Sequence, residues 1–249
     1  MKPWQIVSLV LLELEKAAVP GASALDLNNL AEQKIIELGG IPYNKGYQPK
    51  WAKTPFPYSI CVNINSEIAH GLPTANKILK DGDVVSFDLG VKKDDLCGDA
   101  ALTVIVGDQE KARGNAERLL RYTKRTLYRG IEMVKAGVTC REISHAMEYY
   151  ASQMGYVTNL RMAGHGIGKE MHEYPRIPAA ILEGMGDEVL VEGQMICLEP
   201  ILTYRDRMGV YTADGWTLKT QDGRNSAIFE HQLLVTKDGC EILTDHIKL

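Results

Sequence analysis

The fold is decided by residues 83–106, which read DVVSFDLGV (83–91), KKDD (92–95) and LCGDAALTVIV (96–106). Two apolar runs rich in β-branched residues flank a polar turn, and this pattern predicts a β-hairpin. A turn centred between Lys93 and Asp94 would place Asp88 directly opposite Asp99 on the same face of the sheet. Their Cβ atoms would then be about 4.5–5.5 Å apart.

Two facing aspartates require a neutralising partner if the sheet is buried. The valines and phenylalanine around them predict burial, where like charges destabilise the sheet unless a proton or a cation lies between them. The alternative is a register slipped by one residue, with both aspartates facing solvent. The spacing of Asp88 and Asp99 alone therefore does not distinguish a cation site from a solvated sheet face.

A histidine in a glycine-rich segment is a further candidate ligand. His165 is the second residue of GHGIG (164–168), where a loosened backbone and small neighbours leave its ring free of competing side chains. The segment lacks the spacing of a dinucleotide-binding loop, and the alternative is a turn with an incidental histidine. His165 alone therefore does not indicate a metal site, and it does so only together with other candidate ligands.

Two glutamates stand inside apolar, strand-like runs: Glu199 in MICLEPIL and Glu230 in AIFEHQLLV. A carboxylate inside a buried strand is unusual without a partner. Each glutamate could instead be an edge-strand charge or pair with Arg205 or His231. Taken together with the two aspartates and the histidine, however, they indicate a metal centre.

Four carboxylates and one imidazole suffice to hold two divalent cations, about 3.5–4 Å apart and bridged by shared carboxylates and a water. A set rich in carboxylates and free of thiolates suits Mn²⁺, Fe²⁺ or Co²⁺ better than a structural zinc. The sequence therefore predicts a dinuclear site, and its candidate ligands are Asp88, Asp99, His165, Glu199 and Glu230.

Two similar helical segments indicate how the chain is organised. The first follows Gly21, with Ser23 as its N-cap, and ends at Gly39. A fainter copy 116 residues later follows Gly137, with Thr139 as its N-cap. The equal intervals favour a duplicated α+β unit, although two generic helices can also resemble each other by chance.

The rest of the chain fits one domain. Strand-like runs follow the helical segments in each half, and residues 40–58, rich in proline, lysine and aromatics, are predicted to line or overhang a site. No low-complexity linker divides the halves. We therefore predict a single α+β catalytic domain over residues 1–249, with related lobes of about 1–108 and 109–249 and a site between them.

The composition narrows the function classes. Of 249 residues, 45% are hydrophobic and 24% charged, which argues against disorder. The net charge of −4 disfavours nucleic acid and anionic membranes as partners. The five scattered cysteines are typical of reduced thiols in the cytoplasm. The apolar run Ile6–Leu12 predicts an amphipathic helix rather than a signal peptide, because charged residues follow it directly.

With these residues, the sequence resembles the type I methionine aminopeptidases, which share the pita-bread fold with Xaa-Pro peptidases and creatinase. The resemblance extends from about Ala17 to Leu243 and implies an α+β fold with two pseudo-symmetric lobes around a central antiparallel sheet. The motifs that carry it, in order, are NSEIAHGLP (65–73), DGDVVSFD (81–88), GD (98–99), GHGIG (164–168), HEYP (172–175), EP (199–200), DGW (214–216) and EH (230–231).

The resemblance also implies roles for individual residues. All five candidate ligands would hold two divalent ions, Fe²⁺, Mn²⁺ or Co²⁺ with Zn²⁺ as a further option, and Asp99 and Glu230 would bridge them. A hydroxide bridging the ions would attack the scissile carbonyl, with Glu199 as the proton shuttle. His70 would lie beside the scissile amide, and His172 would hydrogen-bond the carbonyl oxygen as it becomes tetrahedral.

The substrate pocket departs from the family pattern at several positions. Phe56 stands where the family usually has tyrosine, Met171 where it often has phenylalanine, and Ala100 where serine or threonine is usual. These changes affect pocket shape and the polar support of the ligands. The residues implied to bind substrate are His70, Cys61, Phe56, Met171, His172 and Trp216.

The implied activity is removal of the N-terminal methionine from nascent proteins and peptides whose second residue is small. It would act in the cytoplasm as a monomer, with ribosome proximity but no direct contact with nucleic acid or membrane. The first alternative is an Xaa-Pro dipeptidase or aminopeptidase on the same fold. The second is a non-catalytic pita-bread protein that binds ribosomes or RNA, although such proteins commonly lose ligands and all five are present here.

Overall fold

The computed structural model describes residues 1–112 and 114–245, and these form helices and antiparallel strands. The helices are α1 (Pro3–Ala17), α2 (Ala24–Glu37), α3 (Ala116–Ile131) and α4 (Cys140–Gln153), with a 3₁₀ turn at Gln109–Lys111. The strands of the first half are β1 (Ile41–Pro42), β2 (Cys61–Ile64), β3 (Glu67–Ala69), β4 (Val84–Lys93) and β5 (Leu96–Ile105). Those of the second half are β6 (Val157–Thr158), β7 (Gly164–Gly166), β8 (Glu173–Ile177), β9 (Met195–Leu198), β10 (Ile201–Thr203), β11 (Val210–Tyr211), β12 (Leu218–Lys219), β13 (Ala227–Ile228), β14 (His231–Val235) and β15 (Cys240–Ile242).

The described strands form two larger and two smaller sheets. In the first larger sheet β4 pairs along its whole length with β5, and β2 and β1 pair with successive parts of its other edge. The second larger sheet has the order β15-β14-β9-β7-β8. The smaller sheets have the orders β13-β10-β6 and β11-β12-β3. Every pair is antiparallel, so the predicted α+β class is confirmed.

Two of the helices begin as the sequence predicts. The Ser23 hydroxyl accepts a hydrogen bond from the Asp26 amide at 3.2 Å and caps α2. At α4, Thr139 and Glu142 form a reciprocal capping box, which satisfies amides that have no partner within the helix. The helices and their caps are confirmed, whereas the duplication and the single domain over 1–249 stay predictions. Arg113 and residues 246–249 lie outside the described residues.

The register of the β4–β5 hairpin differs from the prediction. Lys93 pairs with Leu96, so that Asp94 and Asp95 alone form the turn, with φ angles of 50° and 59°. Positive φ at both central residues is what a two-residue hairpin turn of type I′ requires, and aspartate tolerates it better than lysine does. The turn is therefore centred one residue later than predicted.

The consequence is that Asp88 and Asp99 are not directly opposite each other. Asp88 pairs with Ala101, and Asp99 pairs with Gly90, a shift of two residues along the ladder. Because side chains alternate with a period of two, this shift leaves both carboxylates on the same face, as diagonal neighbours.

Two runs predicted as continuous strands are each interrupted at a glutamate. The first run stops at the end of β9 and resumes as β10 after Glu199 and Pro200, while the second is broken between β13 and β14 at Phe229 and Glu230. In both cases the chain passes between the five-stranded sheet and a three-stranded sheet. The two glutamates thus lie at the corner where these sheets meet.

Both halves of the chain pack on one hydrophobic core. It joins α1 and α2 to the β4–β5 hairpin and α3 and α4 to the five-stranded sheet. Buried members from each of these elements are Ile6, Ile35, Phe87, Leu102, Leu127, Ile143 and Leu233. In the part of the chain that the structure describes, no helix has the length and apolarity to cross a membrane.

Candidate metal centre and active site

The five predicted ligands line a single cavity of about 480 Å³. The aspartates come from the β4–β5 hairpin, the histidine from β7, and the glutamates from the corner between the sheets. His231 and Leu198 pair across β14 and β9, which sets Glu230 and Glu199 side by side at the end of that pair. The Glu230 amide donates to the Ala101 carbonyl at 3.0 Å and joins the corner to the hairpin.

His165 is oriented toward the carboxylates. Its Nε2 lies 3.7 Å from Asp99 Oδ2 and 3.8 Å from Glu199 Oε1. These separations are too long for hydrogen bonds and leave all three atoms available to an ion. Nδ1 lies 2.9 Å from the Gly166 carbonyl oxygen, which can only accept, so that Nδ1 carries the proton and Nε2 offers its lone pair.

The glycines around His165 permit close strand packing rather than a loose backbone. A Cβ on Gly164 would lie 2.2 Å from the Cys197 carbonyl oxygen, and one on Gly166 would lie 2.3 Å from the Tyr174 carbonyl oxygen. Any side chain at either position would therefore push β7 away from β8 or β9. The predicted looseness is wrong: the glycines hold the imidazole in a fixed place between two strands.

Two of the four carboxylates are deeply buried, and one of their oxygens lacks a partner. Asp99 is 8% exposed and Glu230 is 2% exposed. Within the described residues, Glu230 Oε1 is buried without a hydrogen bond. An unpaired buried carboxylate oxygen is costly, and a cation would satisfy it. This donor set therefore fits divalent metal ions.

The electrostatics of the cluster lead to the same conclusion. Burial raises the pKa of Asp88 to about 6 and raises the pKa of Asp99, Glu199 and Glu230 well above their ordinary values. Repulsion between the carboxylates adds to the effect of burial on Asp99, Glu199 and Glu230. Burial lowers the pKa of His165 to about 3. The site thus disfavours crowded negative charge unless positive charge neutralises it.

The two predicted catalytic histidines also line the cavity. His70 follows β3 with a φ of 56°, a left-handed conformation that is strained for a residue with a side chain. Burial lowers its pKa to about 4, so that its ring is neutral near pH 7. The His172 ring centre lies 4.5 Å from that of His165, and Tyr47 Oη lies 3.3 Å from His172 Nδ1.

Three of the residues predicted to form the methionine pocket line the cavity, and one does not. Cys61, Met171 and Trp216 line the cavity, and Cys61 pairs with Asp88 across β2 and β4. Phe56 does not line the cavity. Its ring packs edge-on against Trp216 at 5.0 Å, so it acts on the pocket through that side chain.

Several residues that line the cavity were not predicted from the sequence. Residues 40–58 do overhang the cavity, as predicted, but their individual contributions carried no spacing signal. Arg161 and Arg176 were missed as well, since isolated exposed arginines resemble any solvated surface. The lining residues that were not singled out include Tyr43, Asn44, Tyr47, Pro49, Trp51, Leu160, Arg161, Met162, Ala163, Arg176 and Tyr211.

Comparison with known proteins adds to this geometry. The family model described as metallopeptidase family M24 matches residues 3–237. Methionine aminopeptidase from Aquifex aeolicus is 38% identical over 245 residues, with 98% of this chain and 94% of that protein covered. The chain belongs to the methionine aminopeptidases of family M24. Methionine aminopeptidase 1 from Bacillus subtilis is 37% identical and covers 96% of this chain and 92% of its own length.

Solved structures support the same family. The methionine aminopeptidase of Thermotoga maritima superposes with a TM-score of 0.89 at 37% identity, covering 97% of this chain and 93% of its own. Prolidase from Pyrococcus furiosus has a TM-score of 0.74 at 21% identity, covers 99% of this chain and 62% of its own, and shares the fold alone. The predicted pita-bread fold and methionine aminopeptidase family are confirmed, and the chain is a metal-binding hydrolase of the aminopeptidase class.

Proposed function

We propose that this chain removes the N-terminal methionine from peptides and proteins whose second residue is small, by hydrolysis assisted by two divalent ions. The observation that carries the proposal is the convergence of five side chains from separate parts of the chain around a buried, unpaired Glu230 oxygen. The residues that would hold the ions are Asp88, Asp99, His165, Glu199 and Glu230. The set is rich in carboxylates, which favours Fe²⁺, Mn²⁺ or Co²⁺, with Zn²⁺ as a further option.

When bound, the ions would supply a water of lowered pKa and positive charge near the reacting carbonyl. The proton work falls to Glu199. Its carboxylate faces the cavity, and its burial raises its affinity for a proton. The positive charge of Arg176 partly offsets that effect. Glu199 would accept the proton of the attacking water and pass it to the leaving amine.

His172 would stabilise the negative charge that develops on the carbonyl oxygen. If the Tyr47 hydroxyl donates to Nδ1, the imidazole carries its own proton on Nε2 and can donate there. Tyr47 would thus select the tautomer that catalysis needs. The hydroxyl is a positioning group, since it touches His172 rather than the reacting atoms.

His70 would help to hold the scissile amide. Its Nδ1 is buried without a hydrogen-bond partner among the described residues, so it is available to a substrate. The Trp51 ring stacks over the imidazole at 5.7 Å with an angle of 24° and keeps the ring in place. A neutral imidazole can both donate and accept, which suits an amide that has one group of each kind.

The substrate side chain would lie among Cys61, Met171 and Trp216. An unbranched thioether is flexible and makes favourable contacts at aromatic rings, so methionine suits this mixed sulfur and aromatic lining. Phe56 would support the Trp216 ring from behind. We expect the position of the second residue to accept only small side chains, as the resemblance to the family implies.

A peptide panel tests this function. Met-Gly and Met-Ala peptides are compared with Xaa-Pro peptides in the as-purified enzyme, after a chelator, and after addition of Mn²⁺, Fe²⁺ or Co²⁺. We expect release of free methionine that the chelator abolishes and metal restores, with no cleavage of Xaa-Pro bonds. Preference for Xaa-Pro peptides would support the alternative dipeptidase, and rates that do not respond to the chelator would contradict a metal-dependent mechanism.

The cellular setting stays a prediction. The sequence leads us to expect a cytoplasmic monomer that acts on nascent proteins near ribosomes without binding nucleic acid or membrane directly. Sedimentation of the purified protein would measure its oligomeric state. Co-sedimentation with ribosomes would test their proximity.

A further inference from the structure

Two arginines lie at the mouth of the cavity, and the only role given to them so far is the effect of Arg176 on the proton affinity of Glu199. Arg161 and Arg176 both line the cavity and are exposed to solvent. Over residues 1–112 and 114–245, neither guanidinium forms an ion pair with a carboxylate. The mouth therefore presents two positive charges that have no directly paired carboxylate among the described residues, whereas the interior presents four carboxylates.

Each arginine side chain is held by one hydrogen bond to a backbone carbonyl, and its other donor groups remain available. Arg161 Nε donates to the Met208 carbonyl at 2.8 Å, and its guanidinium lies 5.6 Å from the centre of the Tyr211 ring. Arg176 Nη2 donates to the Arg161 carbonyl oxygen at 3.3 Å. Since a guanidinium carries five N–H groups, each arginine keeps several donors for a ligand while its position is already restricted.

The position of Arg176 indicates that a ligand of the two guanidinium groups would lie close to the candidate metal centre. Arg176 pairs with His165 across β8 and β7, so its backbone is adjacent to the candidate metal centre. Beside the arginines, Trp51 and Tyr211 are half-exposed and pack on each other at 5.7 Å, and Tyr211 is the ring that Arg161 contacts. A peptide whose first residue occupies the pocket must leave past these aromatic rings and the two arginines.

We propose that Arg161 and Arg176 form a carboxylate-binding subsite that favours substrates with an acidic group downstream of their second residue. The proposal rests on the proposed function, because it assumes that the peptide amino terminus lies at the candidate metal centre. A planar, forked guanidinium matches a carboxylate in charge and geometry. The source of the carboxylate is an acidic side chain or the C-terminus of a short peptide.

The first experiment measures kcat/KM for C-terminally amidated Met-Gly-Xaa-Ala peptides in which Xaa is Asp, Asn or Lys. Asp and Asn have nearly the same shape, so their ratio isolates charge. We expect the Asp peptide to exceed the Asn peptide by about three- to fivefold and the Lys peptide to be the poorest, as exposed charge pairs are individually weak. The preference should shrink as salt rises.

The second experiment repeats the series with R161Q, R176Q and the double variant. The ratio of Asp to Asn peptide should fall to within twofold of unity in the double variant and should partly persist in R161K/R176K. The matched control is R121Q, an exposed arginine on α3 that does not line this cavity, and it should keep the wild-type ratio. Thermal melting of each variant verifies that it is folded. The peptide series with wild-type enzyme tests the charge preference even if a variant fails to fold.

The third experiment separates the sources of the carboxylate. Met-Gly-Ala is compared as free acid and as amide, with Met-Gly-Ala-Asp-amide as the side-chain counterpart one residue further along. Preference for either carboxylate supports the subsite and identifies its source. Equal rates for Asp, Asn and Lys peptides and for acid and amide would overturn the subsite but leave the proposed function intact, whereas failure to cleave every methionine peptide would overturn both.

Discussion

The β4–β5 hairpin and the corner between the sheets contribute to the same site in different ways. The hairpin has two strands of ten residues each, paired without interruption from Val84 to Ile105. At the corner, each strand stops at a glutamate and the chain resumes in another sheet. The aspartates therefore project from a regular ladder, and the glutamates project from breaks in one.

This difference suits the two regions to different tasks: the hairpin to holding metal ligands and the corner to proton transfer. A continuous ladder fixes its side chains through many shared hydrogen bonds, so it is suited to ligands that must not move. At the corner the backbone leaves the ladder, and Pro200 cannot donate to one. Glu199 therefore lies where the backbone leaves the ladder, whereas both aspartates lie within one.

Removal of the Glu199 carboxylate should have the largest effect. In Glu199→Gln the proton acceptor is lost, and we expect kcat to fall by about 10²- to 10⁴-fold, the usual contribution of general acid–base catalysis. The fold should persist, because the substitution retains the size of the side chain and removes one charge from a repulsive cluster. Steady-state kinetics and circular dichroism melting measure the two effects.

The matched change in the hairpin is Asp88→Asn. It should weaken metal binding, so that added Mn²⁺ recovers much of its activity, whereas metal should not rescue Glu199→Gln. Titrating both variants with Mn²⁺ tests the division between support and reactivity. A folded Glu199→Gln enzyme with near-normal turnover would refute the role of Glu199.

The same contrast explains how far the sequence could be interpreted. The hairpin was predictable because apolar alternation and a polar turn carry a strong local signal, but its register was not. Lys93-Asp94 and Asp94-Asp95 are both polar, and the choice depends on which pair tolerates positive φ. The prediction that both aspartates lie on the same face remains correct, because a shift of two residues preserves the face of the strand.

The corner was harder to predict, since the runs around Glu199 and Glu230 are as apolar as unbroken strands. Pro200 was the one local indication of an interruption, and no residue near Glu230 gave an equivalent one. The lining residues of the mouth, such as Trp51 and Arg176, depend on contacts between distant segments. Such contacts leave no periodic trace in a single sequence.

A cavity in the hairpin core should cost the most stability. Phe87 is fully buried on β4 and pairs with Leu102. Phe87→Ala should lower the free energy of unfolding by about 3–5 kcal/mol, as is typical of buried aromatic truncations. Urea denaturation with the metal-free protein measures this loss.

Phe229→Ala is the comparable change at the corner, next to Glu230. It should cost less stability than Phe87→Ala, since Phe229 retains 7% exposure, but it should also weaken metal binding by releasing the neighbouring glutamate. A loss below 1 kcal/mol for Phe87→Ala would contradict the view that the hairpin is the rigid support.

Loss of the Tyr47 hydroxyl tests a segment outside both regions. Tyr47→Phe removes the contact with His172 Nδ1, and we expect kcat to fall about fivefold with KM little changed, since one hydrogen bond is worth about 1 kcal/mol. The comparison is Tyr43→Phe, on the same cavity wall, which loses a hydroxyl contact with the Met171 backbone rather than with His172. An equal fall in both variants would indicate a general loss of support for the cavity wall rather than a chosen tautomer.

The smallest effect concerns the hairpin turn. Asp95 has a φ of 59°, which glycine adopts without steric cost, so Asp95→Gly should raise the free energy of unfolding by a few tenths of a kcal/mol to about 1 kcal/mol. Asp95→Ala keeps a Cβ and loses the tolerance of aspartate for this conformation, and it should destabilise the protein instead. Urea midpoints of the two variants give the sign directly. Neither change should alter kcat/KM, because the pairing of Lys93 with Leu96 already fixes the register that places Asp88 and Asp99 on one face. A change in activity in Asp95→Gly would mean that the turn, rather than the ladder, positions the aspartates.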